Sequence, residues 1–365
     1  MKAALLTMPG TPLEIATDVD IAPPRAGEVR VAVKHCGLCH SDVHIIEGKM
    51  PAPLPVILGH EAAGVVDAVG PGVDQLAVGD HVVLTAIPSC GRCYWCVRGE
   101  HSMCVNLNAL QTAAFPDGTT GLSRRGETVY RGLGLAGFAE YMVTAASGAA
   151  KIPADMPLDL ACVLGCAVQT GVGAVLNTAK VEEGATVLVI GLGGIGISVV
   201  QGARIAGASR IIVSDPVAER RTAAVRFGAT DLLDPEKDDL MTACMDLTGV
   251  GVDYAFETAG RASLVQACVA ATRPGGTTVC IGVAPFEDIL TLGPAVLFTA
   301  SEKKLLGCML GSSNALRDLP RFAALWKAGR LDLEGMITVR RPLSEINEAI
   351  ADLQASRGIR TALAL

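Results

Sequence analysis

Thr186-Val187-Leu188-Val189-Ile190-Gly191-Leu192-Gly193-Gly194-Ile195-Gly196 is the stretch whose reading decides the fold. Five uncharged residues rich in β-branched side chains read as a buried strand; the glycines then turn the chain into an apolar helical pattern running from Ile195 to Ala206. Gly191, Gly193 and Gly196 stand at the spacing that permits a tight turn, close approach of a pyrophosphate and packing of helix on strand, with Gly194 and Ile195 completing the loop. Asp215 ends the next strand, 24 positions after Gly191, where a carboxylate accepts hydrogen bonds from an adenosine ribose and repels a 2′-phosphate. NAD is therefore expected in preference to NADP. Arg220, in the following helix, either reaches the same ribose edge or is an exposed helix arginine.

The pattern repeats outward from this core. Strands are expected at Arg210 to Ser214, Val252 to Phe256, Thr277 to Ile281 and Lys304 to Met309. They alternate with helices at Val217 to Phe227, Lys237 to Leu247 and Arg261 to Thr272. Such alternation predicts a doubly wound α/β fold around a parallel sheet. Two further helices are expected at Asp318 to Ala328 and Ser344 to Ala355. From Glu28 to Tyr141 the chain instead shows short β-type runs broken by Pro and Gly, including Val29 to Val33, Gly64 to Val66 and His81 to Leu84, so a mostly-β unit is expected there.

At 365 residues the chain suits two domains, and a hydrophobic fraction of 50% with only 4% aromatics means cores of Ala, Val, Leu and Ile. A net charge of −7 and a pI near 5.4 argue against a nucleic-acid or anionic-membrane surface and favour a small-molecule partner. The apolar run before Pro9 is too short for a signal peptide, and a cytoplasmic location is expected.

All six histidines lie within the first 101 residues, which places metal and proton chemistry in the β-type half. There, Cys90, Cys93, Cys96 and Cys104 fall within fifteen residues, a spacing that closes a tetrahedron of thiolates around Zn²⁺ and leaves no open position. That lobe reads as structural. Cys39, His60 and Cys166 form a second set whose Cys₂His composition keeps a fourth position for water or substrate, as a catalytic zinc requires. Cys36 stands three residues before Cys39, so a Cys-x-x-Cys pair is the competing reading for Cys39. The remaining cysteines, Cys162, Cys244, Cys268, Cys280 and Cys308, read as small buried hydrophobes.

With two zinc constellations, the glycine turn and the acidic strand end in this order, the chain resembles the zinc-dependent medium-chain alcohol dehydrogenases of the class I/III-like or aryl-alcohol branch. The resemblance runs from Gly37-Leu38-Cys39-His40-Ser41-Asp42 to Gly358-Ile359-Arg360-Thr361. It implies a GroES-like, mostly-β catalytic domain split between residues 1–168 and 309–365, with a Rossmann cofactor domain over 169–308. It also implies that Asp42 hydrogen-bonds His60, that Glu61 lies behind the metal, and that Ser41 takes the alcohol proton and passes it through the nicotinamide ribose to His44. His40 and Arg360 would contact the cofactor pyrophosphate, Arg360 being otherwise a helix-end charge, while Thr170 and Ile195 would lie near the nicotinamide. A homodimer joined through the cofactor domains is implied, a homotetramer being the alternative.

Two departures narrow the expected substrate. The glutathione-dependent formaldehyde dehydrogenase branch has an acidic Asp-Pro-Glu segment before its Gly-His-Glu motif and an arginine four residues after the last lobe cysteine. Here Gly48-Lys49-Met50-Pro51-Ala52-Pro53-Leu54 and Asn108 stand instead. Ala86 occupies a pocket position that is a bulky aromatic in many such enzymes, so a roomier pocket for long or aromatic primary alcohols is expected. Secondary-alcohol or polyol oxidation, and NAD binding without turnover, are the competing functions.

Overall fold

Strand Thr186–Ile190 sits inside a six-stranded, all-parallel sheet. The order is Asp231–Leu233, Arg210–Ser214, Thr186–Ile190, Val252–Glu257, Thr272–Cys280 and Lys304–Gly307. This is doubly wound topology, with the strand order reversing between Thr186–Ile190 and Val252–Glu257. The computed structural model describes every residue from Met1 to Leu365. The sheet belongs to a unit spanning Thr170–Ser312, while Met1–Gln169 and Ser313–Leu365 form the other. The cuts fall a residue after Gln169 and four residues after Cys308, the positions drawn from the sequence.

Within the sheet unit, helix Gly194–Ala206 starts one residue before its expected position, and Arg210–Ser214 is as read. The helix expected from Lys237 begins only at Leu240, because Asp239 accepts the Thr242 N–H at 2.8 Å and caps it there. Strand Thr272–Cys280 starts five residues early, Thr272 pairing with Val252 before a bulge shifts the register. Leu188, Ile190, Ile212, Ala255, Cys244 and Cys268 are buried together, so both cysteines act as small core side chains.

The other unit is built on a seven-stranded sheet in which Glu28–Gly37 pairs with Glu61–Val69 along nearly its whole length and with Tyr141–Ala145 on its other edge. The C-terminal segment joins here. Arg360–Ala364 pairs antiparallel with His35 to Gly37, and Ile337–Pro342 lies beside it in parallel. The periodicity reading shows only helices in this last stretch; both strands are short, and Arg360–Ala364 gains one of its two partners from the other end of the chain. Helices Ala315–Lys327 and Ile346–Gln354 correspond to the two expected there. No single helix is long and apolar enough to cross a membrane.

Candidate active site

Strand Glu28–Gly37 leads through Leu38 and Cys39 into the helix His40–Ile46. Asp42 builds this turn: its Oδ2 accepts the Cys39 N–H at 3.2 Å and its Oδ1 accepts the Gly59 N–H at 3.0 Å. The same Oδ1 lies 3.1 Å from His60 Nδ1, which fixes the ring and leaves Nε2 as its ligating nitrogen. Cys166 arrives from the tight turn Cys162–Gly165. Ligating atoms of Cys39, His60, Cys166 and Glu61 all lie within 4.8 Å of one another, and all four residues are buried. Cys36 is outside this cluster; its thiol donates to the Gly37 carbonyl at 3.6 Å.

The electrostatics of the cluster suit a soft divalent cation. A hydrogen bond from Cys166 holds the Cys39 thiol well below the usual thiol range against the effect of burial, with Arg360 and His60 adding to the fall. That contact and burial push Cys166 up, so the two sulfurs compete for one negative charge. Burial alone would lower the His60 pKa, but Asp42 and Cys39 outweigh it and raise the value. Two thiolates and one carboxylate-oriented imidazole are the donor chemistry of a three-ligand zinc centre with an open fourth position.

Behind the cluster, Glu61 Oε1 is ion-paired with Arg360 Nη2, and Arg360 Nη1 donates to the Leu38 carbonyl at 3.2 Å. Burial raises Glu61 to about 7 while Arg360 pulls it down. A Cβ at residue 37 would collide with Glu61 Oε2, so Gly37 is what admits this carboxylate. Arg360 opens a strand and is only 4% exposed, which overturns its reading as a helix-end charge.

Ser41 Oγ is 3.9 Å from Cys39 Sγ, and His44 follows three residues later on the same face of a short helix. Both are half-buried, and His40 is exposed at the helix start.

In the parallel-sheet unit the glycine turn has a built frame. Gly191 adopts φ +89°, a left-handed conformation, and a Cβ on Gly196 would strike the Gly191 carbonyl oxygen. Asp215 Oδ2 accepts the Leu192 N–H at 2.7 Å and Oδ1 the Val217 N–H at 2.8 Å, so this carboxylate ties the turn to the neighbouring strand end. No atom would approach a Cβ on Gly193 within 4 Å, which leaves the backbone there open to a ligand. Gly171, next to Thr170 in the chain, packs against Ile195: a Cβ on Gly171 would lie 2.5 Å from the Ile195 carbonyl.

Arg220 is half-buried in the first turn of Ala218–Phe227. The sequence reading passed over its neighbour Arg221, which donates to the Asp215 carbonyl at 2.6 Å and to Asp234 at 2.9 Å. It also passed over Thr258, whose hydroxyl donates to the Gly191 carbonyl at 2.9 Å from the end of Val252–Glu257. Its place at a strand end beside the reversal of strand order is the signal that would have found it.

The four-cysteine lobe closes on itself as its spacing suggests. Cys93 caps the short helix Tyr94–Val97, the Cys90 N–H points at Cys104 Sγ at 3.3 Å, and all four sulfurs lie within 4.8 Å of one another. The Cys96 N–H leads in bringing Cys93 down to about 6, while burial pushes Cys104 up to about 12. Backbone N–H donors aimed at sulfur favour thiolates, and the lobe has little apolar core to hold it otherwise. We expect Cys93→Ser to lose the lobe's metal and loosen the backbone at Arg92 and Arg98, both already at the surface, so that trypsin cleaves there at least about tenfold faster than in the wild type.

Comparison with known proteins agrees with this geometry. Residues 25–154 match the alcohol dehydrogenase GroES-like domain family and residues 194–325 the zinc-binding dehydrogenase family. An S-(hydroxymethyl)glutathione dehydrogenase of Escherichia coli O1:K1 / APEC is 40% identical over 367 residues, covering 99% of each chain. An alcohol dehydrogenase zinc-binding domain protein from Burkholderia ambifaria superposes with a TM-score of 0.96 at 35% identity, over 100% of this chain and 98% of the other. Benzyl alcohol dehydrogenase from Acinetobacter calcoaceticus gives 0.94 at 29% identity, over 100% and 99%. With the Cys₂His cluster, the four-cysteine lobe and the doubly wound sheet all in place, this chain belongs to the zinc-dependent medium-chain alcohol dehydrogenases.

Proposed function

We propose that this chain oxidises primary alcohols, aromatic and long-chain ones included, to aldehydes by reversible hydride transfer to NAD. The convergence of Cys39, His60 and Cys166 around one point, with Ser41 beside Cys39, carries the reading. A zinc ion held there supplies a Lewis acid that lowers the pKa of an alcohol hydroxyl. Cys90, Cys93, Cys96 and Cys104 hold the second, structural zinc. Asp42 positions His60 and the Cys39 turn at once. Ser41 receives the hydroxyl proton, and His44, on the same helix face, delivers it to solvent. Gly191 to Gly196 cradle the pyrophosphate, and Asp215 takes the adenosine ribose.

Ala86 is buried with no side chain beyond Cβ to fill a substrate pocket, which supports the larger alcohols. The uncharged Pro51 to Leu54 segment lacks the acidic groups that would hold the glutathionyl ammonium, and Asn108 stands where an arginine would hold a carboxylate, so S-(hydroxymethyl)glutathione, named for the E. coli relative, is the weaker candidate here. Exposed Phe286, Ile289, Val296 and Leu297 accompany the edge strand Lys304–Gly307, and a homodimer joined there would cover them. Six cysteines in two metal-ligating sets work only when reduced, which supports a cytoplasmic setting.

Metal content and initial rates on primary, benzylic, secondary and polyol substrates and S-(hydroxymethyl)glutathione, with NAD or NADP, test the reading. Two zinc ions per chain with fastest NAD-dependent oxidation of benzylic or long primary alcohols is the expected result. Fastest turnover of a secondary alcohol or polyol selects that activity instead, and no turnover refutes catalysis. Asp215→Asn is expected to lower the NAD-to-NADP ratio of kcat/KM by about a hundredfold, since a charge pair at ~4 Å near a protein surface is worth about 4 kcal/mol and part of it is screened.

A further inference from the structure

A cavity of about 500 Å³ opens in the Met1–Gln169 part of the chain, among the start of strand Glu28–Gly37, the end of Tyr141–Ala145 and the segment Ala114 to Asp117. Glu28 in its wall lies at the opposite end of that strand from Gly37, which touches the Glu61 carboxylate behind the metal cluster. The ten-residue strand spans about 30 Å between them.

Arg131 is the unusual member of the wall. It is only 3% exposed, and the single hydrogen bond of its side chain runs from Nη2 to the Val143 carbonyl at 2.7 Å. Its guanidinium stacks 3.7 Å from the centre of the Phe115 ring. The neighbouring Arg25 is already matched by Glu28 at 2.7 Å and Asp117 at 2.5 Å. Arg131 has no such partner, and its Nε and Nη1 meet no acceptor. Burial lowers its pKa to about 9 while the Glu28 carboxylate, nearby but ion-paired with Arg25, pulls the other way, so at neutral pH a protonated guanidinium faces the cavity with no carboxylate paired to it directly. A buried cation is ordinarily paired, because water is no longer there to solvate it.

We propose that this cavity binds a small organic monocarboxylate, with the carboxylate on Arg131 and the hydrocarbon part against Phe115, Pro88 and Ala114. A planar guanidinium offers paired N–H donors that fit a planar carboxylate. The charged side chains of the wall, Arg25, Arg92 and Arg131 against Glu28 and Asp117, leave an excess of one positive charge, which suits a mono-anion better than a phosphate dianion. The volume is that of a small-molecule pocket, and its walls are divided almost evenly between polar and apolar groups, as an amphipathic anion requires.

Calorimetric titration of the zinc-loaded full-length protein with sodium benzoate tests this, with turnover playing no part in the readout. The expected result is one saturable site per chain, weakened at least about tenfold by Arg131→Gln and by Ala109→Phe, which fills the cavity from its rim. Cys166→Ala should leave the benzoate affinity unchanged. Weakening by Cys166→Ala with none by Arg131→Gln would place benzoate on the metal cluster and overturn the proposal. It also fails if binding does not saturate in the millimolar range, or if inorganic phosphate binds as tightly as benzoate. Should Arg131→Gln not fold, Ala109→Phe decides.

Discussion

Cys166→Ala is expected to lower zinc content from two ions per chain to one and to reduce kcat/KM for the best alcohol by about a thousandfold or more. The magnitude follows from losing a Lewis acid worth several kcal/mol of transition-state stabilisation, at 1.36 kcal/mol per decade of rate. Two ligands, Cys39 and His60, remain, and a two-ligand site holds zinc poorly. The fold should survive. Cys166 follows a turn already fixed by its buried neighbours Leu164 and Gly165, and removing one thiol from a crowded, charge-competing pair relieves rather than creates a buried conflict. Metal analysis, rates and a thermal melt on one preparation check the three statements together. Two zinc ions with normal turnover would remove Cys166 from the site.

Arg360→Met should destabilise the chain by about 3–5 kcal/mol, because it leaves Glu61 charged or unpaired in a buried site. Glu61 is fully buried, and its Oε2 already has no hydrogen-bond partner, so Arg360 supplies most of its compensation. Adding Glu61→Gln to Arg360→Met should recover more than half of the loss, since the orphaned charge is then gone. Denaturant unfolding of wild type, both single variants and the double variant measures this coupling. Additive losses would show that the two side chains contribute independently. The same substitution removes the Arg360 hydrogen bond to the Leu38 carbonyl, leaving only the Leu38 N–H to Thr361 bond there, so it should also weaken metal retention at Cys39.

The parts of the fold legible in the sequence are those written in local periodicity. The strand Thr186–Ile190, its glycine turn and the helix after it depend on side-chain alternation and on a φ that only glycine adopts cheaply at Gly191, and both are properties of neighbours in the chain. The four-cysteine lobe is legible for the same reason, since its ligands lie within fifteen residues and spacing nearly fixes their geometry. Helix boundaries slipped where a single cap decides them, as Asp239 does for Leu240–Thr248.

The rest was decided by contacts between residues far apart in the chain. Arg360 and Glu61 are separated by 299 positions, and the strand carrying Arg360 is placed by the free edge that Glu28–Gly37 offers at His35 to Gly37, with Ile337–Pro342 on its other side. Arg221 and Thr258 were missed because what ties each of them to the site is a backbone carbonyl, of Asp215 and of Gly191, which leaves no mark on residue identity. Arg131 carries nothing in the sequence that marks it out; only the packing of Phe115 and the walls of the cavity around it make it a buried cation with no carboxylate paired to it directly. By itself the sequence determined the local backbone, the metal-binding lobe and the donor types of the cluster, because these follow from residue identity and short spacing. Tertiary structure alone decided which charges are buried, which are paired and which are left facing a cavity, because desolvation depends on everything that surrounds a group and not on its neighbours in the chain.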